Sequence, residues 1–118
     1  METNDLSKRL FEFAVRVIKF LRILPNYPEY KVIKYQLIKA ATSTGANYEE
    51  SQGASSKSDF HNKINISLRE IKESNYWLKL LERIIDFHYD ETGLKYLVDE
   101  SNQLSKILGK ISAKTKKL

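Results

Sequence analysis

Residues 58–87 read SDFHNKINISLREIKESNYWLKLLERIIDF, and the apolar pattern in this stretch decides the fold. Phe60, Ile64, Leu68, Ile71, Asn75, Leu78 and Ile85 recur at helical intervals, which predicts one long helix with a face turned to a core. Trp77, Leu80, Leu81 and Ile84 add a second apolar face near its end. Ser58 suits the N-cap, where a hydroxyl can accept from a free amide of the first turn, and the pattern can run to about Phe87.

Outward from this helix the same period repeats. Beyond the turn residues His88-Tyr89-Asp90-Glu91-Thr92-Gly93, the positions Leu94, Leu97, Val98, Leu104, Ile107, Leu108 and Ile111 predict a further helix, with a lysine tail fraying from its end. Upstream, Ser51-Gln52-Gly53-Ala54-Ser55-Ser56-Lys57 reads as a polar loop. Before it, Ile33, Leu37, Ala40, Ala41, Thr44 and Tyr48 mark a helix that Pro28 can open and that reaches about Glu50. Its middle, Ala40 to Ala46, is built of small residues. Gly45 there costs about 1 kcal/mol relative to alanine, so a tight helix crossing or a local break is expected. The first helix, capped by Asn4 or Asp5, carries Leu6, Leu10, Ala14, Val17, Leu21 and Leu24, with a second line of Phe11, Val15 and Ile18. Pro25 and Pro28 end it, because proline cannot donate into the helical ladder.

Four helical segments joined by short connections predict an all-α, antiparallel up-down-up-down four-helix bundle that forms a single domain over residues 1–118. No segment alternates as a strand would. The first helix and the aromatic end of the third carry more apolar perimeter than one core consumes, which predicts self-association.

Composition narrows the function classes. Charged residues interrupt every apolar stretch, so no membrane span is expected, and the acidic, polar N-terminus is unlike a signal peptide; a cytoplasmic location follows. Without cysteine there is no disulfide framework, thiolate nucleophile or cysteine metal site. The formal charge of +5 lies in one place: residues 1–105 carry fifteen basic and fifteen acidic side chains, whereas Lys106, Lys110, Lys114, Lys116 and Lys117 follow with no acid among them. Lys106, Lys110 and Lys114 share a helix face and are candidates to meet the phosphates of RNA or DNA. The alternative is that they complement the helix dipole and aid solubility. The tyrosines and the tryptophan lie mostly at core-like spacing, which argues against a stacking platform for bases.

Catalytic and metal constellations are sparse. A di-iron bundle needs Glu-x-x-His pairs on two helices; Glu70 and Glu73 have no histidine partner, and surface ion pairing explains them. His61 beside Asp59 reads as an exposed first turn. No glycine-rich phosphate loop occurs, and no cofactor or metal is expected. One enzyme-like pattern remains: Arg83-Ile84-Ile85-Asp86-Phe87-His88 resembles the Arg-x4-His pattern of small all-α ribonucleases of the HEPN group, in which histidine moves a proton and arginine stabilises a phosphate in flight. Ile84 stands where those enzymes carry a polar residue.

The middle of the chain carries a longer resemblance. Ser43-Thr44-Gly45-Ala46-Asn47-Tyr48-Glu49-Glu50, then Ser58-Asp59-Phe60 with Lys63, then Ser67-Leu68-Arg69-Glu70-Ile71-Lys72-Glu73-Ser74-Asn75-Tyr76-Trp77-Leu78 with Leu80 and Leu81 are similar to the four-helix-bundle proteins encoded within intervening sequences of bacterial 23S ribosomal RNA genes. The resemblance implies an antiparallel bundle without catalytic activity. Through the related accessory proteins of diversity-generating retroelements it further implies a ring-like homopentamer whose basic surface meets nucleic acid or a reverse transcriptase. A purely structural adaptor between proteins is the remaining alternative. Of the motif residues, Asn47 and Glu50 with Arg69, Glu70 and Glu73 are expected to form a polar network across the second and third helices, or a ligand site at the same place.

Overall fold

The structure, a computed structural model, describes residues 3–116, and the helical period accounts for nearly all of them. Helices α1 (Thr3–Leu21), α2 (Pro28–Gln52), α3 (Lys57–Ile84) and α4 (Glu91–Thr115) follow one another, and no strand occurs among the described residues. Each helix packs against its sequence neighbour, and α1 also meets α4, which closes an antiparallel bundle with principal extents of 48 × 26 × 19 Å. The α2–α3 seam is the most extensive and the α1–α4 seam the least.

Every helix end has a local cause. Helix α1 begins at Thr3, so Asp5 lies within its first turn, where a carboxylate suits the dipole, rather than ahead of it as a cap. At its other end Arg22, Ile23 and Leu24 donate to Lys19, Phe20 and Leu21 in a tightened turn that keeps Leu24 buried. The Lys34 ammonium of α2 donates to the Leu24 carbonyl at 3.0 Å. Pro28 opens α2, where its missing N–H is no loss. The cap of α3 is Ser56, not Ser58: its hydroxyl accepts from the Asp59 amide at 3.0 Å. Helix α3 stops at Ile84, short of Phe87, because Ile85 turns extended and sends Phe87 and Tyr89 into an aromatic cluster with Phe20 and Tyr30. Asp90 caps α4 by accepting from Gly93 N at 3.0 Å.

The core is one cluster running the length of the bundle, drawn from Leu10, Phe13 and Val17 of α1, Leu37 and Tyr48 of α2, Ile71 and Leu78 of α3, Leu97 and Leu104 of α4, and their neighbours. Two expected core positions differ. Phe13 is buried where the spacing had favoured Ala14, and Ser67 and Ser74 are buried while Leu68 and Asn75 are only half-buried. The serines allow close approach: Ser67 Oγ donates to the Thr44 carbonyl at 2.6 Å, across the small-residue segment of α2. That segment is a tight crossing and not a break, since α2 is continuous through Gly45, beside which Leu10 of α1 packs.

Residues 106–115 do not fray. Ile107, Leu108 and Ile111 pack on the core, and Ser112 donates to Asn65 Oδ1 at 2.5 Å. His61 Nδ1 lies 2.7 Å from Thr115 Oγ1, which itself donates to carbonyls of the preceding turn, so the ring nitrogen donates and Asn65 Nδ2 can donate to Nε2.

Candidate nucleic-acid interface

Exposed cations collect on the outer side of the α3–α4 pair. Along α3, Arg69, Lys72, Tyr76, Lys79 and Arg83 are all exposed and recur at intervals of three and four, so they form one stripe. It is about 21 Å long at roughly 1.5 Å per residue, and it holds no carboxylate. The α3–α4 register is fixed by Asn65 with Ser112 and by Asn75, which donates to Ser101 Oγ at 2.8 Å and Asn102 Oδ1 at 3.1 Å. That register sets Lys106 level with the Arg69 end of the stripe and Lys95 level with the Arg83 end. Lys106, Lys110 and Lys114 are exposed on the helical end of α4, and Lys116 is exposed just beyond it. Lys117 lies outside the described residues.

The nearest acids are engaged. Trp77 Nε1 donates to Glu73 at 3.0 Å, and Gln103 Nε2 donates to Asp99 at 2.7 Å. Tyr76, in the middle of the stripe, is 60% exposed and meets the Trp77 ring edge-on at 5.1 Å between centroids. The expectation that the aromatics serve the core therefore fails at Tyr76. The α3 stripe was itself missed from the sequence, although the three- and four-residue spacing of cations in 69–83 carries the signal.

The five residues expected to form one polar network divide between two places. Asn47 donates to the Ser43 carbonyl of its own helix at 2.9 Å, and Glu50 pairs with Lys63 at 2.9 Å. Further along the seam Glu70 is half-buried near Glu73, with Lys39 and Arg69 in electrostatic reach; burial first, then Glu73, raises its pKa. Arg83 closes α3 in its last turn, while His88 sits in the connector past Ile85, so the two share no helical face. Among the described residues no three His, Asp or Glu gather as metal ligands would, and no helix is long and apolar enough to cross a membrane.

Opposite in character is the outer side of α1–α2. Phe11, 67% exposed, and the half-buried Ala14, Val15 and Ile18 line an apolar groove of about 840 Å³ whose α2 wall includes Gly45 and Ala46.

Fold and surface together define an antiparallel four-helix bundle with one cationic and one apolar side. The chain belongs to the 23S rRNA-intervening sequence protein family, whose sequence model matches residues 2–110. It is similar to a protein of unknown function from the S23 ribosomal protein family of Bacteroides thetaiotaomicron, known from a crystal structure. The two are 34% identical with a TM-score of 0.79, over 91% of this chain and 97% of that one. No curated protein matches the chain.

Proposed function

We propose that this protein is a nonenzymatic, self-associating module that binds the phosphate backbone of nucleic acid through the outer face of α3 and α4. The observation that carries the reading is the acid-free stripe of Arg69, Lys72, Lys79 and Arg83 beside the lysines of α4. Such cations displace condensed counterions from a polyanion, a gain that needs no base readout. The stripe lies on one rigid helix, so its cations are already in register before binding. Self-association is supported by the apolar α1–α2 groove, which a soluble bundle gains by covering. The resemblance points to a ring of five, in which copies of the basic face would act together.

Binding of labelled RNA and DNA across a salt series tests this. The logarithm of affinity should fall steeply with the logarithm of salt concentration, and Lys79→Ala with Arg83→Ala should lower that slope by about two, roughly one per cation removed. Binding that ignores salt, or none at low salt, would sink the reading and favour the adaptor between proteins.

A further inference from the structure

Tyr76 gives the basic stripe a feature that charge alone does not require. It stands between two cations on either side, Arg69 and Lys72 before it and Lys79 and Arg83 after it, on the most solvent-facing side of α3. Its ring is 60% exposed. A large aromatic on a polar helix face covers no core and costs hydration. Its edge contact with Trp77 at an interplanar angle of 79° leaves Tyr76 its own ring faces to offer, and the Trp77–Glu73 hydrogen bond holds the neighbouring ring in place. Bases of a duplex are already stacked on one another and present only edges and backbone. A single strand has free base faces, and aromatic stacking flanked by phosphate-binding cations is the chemistry that holds them.

Resting on the phosphate-binding reading above, we infer that the α3 stripe takes single-stranded nucleic acid, with one base stacked on Tyr76 and the flanking phosphates on Lys72 and Lys79. Ribose and deoxyribose strands share this chemistry.

Trp77 is the sole tryptophan and touches Tyr76, so its fluorescence reports on a base arriving there. The full chain is titrated at low salt with oligo(U), oligo(dT), an abasic phosphodiester strand of the same length and a duplex, each of about 16 nucleotides. Strands with bases should bind roughly five- to a hundred-fold more tightly than the abasic strand, the factor that one stacked base supplies. They should also change Trp77 emission, which the duplex should not. Tyr76→Phe should keep the advantage and Tyr76→Ala should erase it while abasic binding and helicity stay unchanged. The tighter of oligo(U) and oligo(dT) identifies the strand type. Equal binding of abasic and base-bearing strands, or an advantage that survives in Tyr76→Ala, overturns the stacking site and leaves the phosphate reading standing. Failure of every strand to bind overturns both.

Discussion

Gly45 is the residue whose presence the single chain explains least. A Cβ built there would lie 3.6 Å from Leu10 Cβ and 3.8 Å from the Leu10 carbonyl, ordinary contact distances. A methyl group fits, so Gly45→Ala should stabilise the bundle by about 1 kcal/mol through helix propensity, read as a rise of several degrees in the thermal midpoint. A loss of stability would mean that α1 cannot give way even slightly at Leu10. Glu70 makes a second residue-scale case. Burial, then the Glu73 carboxylate, holds it above its ordinary value of 4.5 despite Lys39 and Arg69. The folded protein thus keeps this proton more tightly than the unfolded chain, so stability falls as pH rises from 4.5 through the raised folded value. Glu70→Gln, which mimics the protonated form, should be the more stable variant at neutral pH. The gain should disappear below 4.5 in denaturant titrations at each pH. A gain that persists in acid would place its origin outside the titration of Glu70.

Among the elements, α1 is held to α4 by polar contacts more than by area. Arg9 grips Glu100 with two bonds of 3.1 and 2.6 Å, and the Arg16 guanidinium lies 4.2 Å from the centre of the Tyr96 ring. Glu100 is only 8% exposed, so removing its partner strands a carboxylate in a poorly solvated place. Arg9→Ala should cost about 2 kcal/mol, less than for a fully buried pair because Arg9 itself is partly in water. Most of that loss should return in the double variant with Glu100→Leu, measured as a double-mutant cycle in urea. At the opposite edge, α4 ends on α3 through Ser112 and Thr115. Asn65→Ala should speed amide exchange in the last turn of α4 while exchange at Leu97 and Leu104 stays slow, because opening there is local.

At the scale of the whole molecule, one side of the bundle is cationic and another apolar. Phe11→Asp puts a charge in the α1–α2 groove without touching the core, since Phe11 is 67% exposed. Light scattering coupled to size exclusion should then show a particle reduced to the single-chain mass of 13.8 kDa with unchanged helicity. A wild-type chain that already runs at that mass would dispose of self-association. Loss of assembly should also flatten any cooperative binding to long strands while leaving short ones bound, because the α3 stripe belongs to a single chain.

Four helices, their order and most of their buried positions were legible in the sequence, because a 3.6-residue period needs only local information to read. Leu37, Ala41, Tyr48, Ile71 and Leu104 are buried as their spacing requires. The cluster of lysines from 106 onward was legible for the same reason. The true cap at Ser56, the early end at Ile84 and the anchoring of α4 by His61 and Asn65 depend on partners distant in sequence or on which of several equivalent hydroxyls meets a free amide. The basic face itself is tertiary. Each helix alone offers polar positions all round its outer surface, and only the α3–α4 register decides which of them lie side by side. That register is set by Asn75 on Ser101 and Asn65 with Ser112, contacts that no local period encodes.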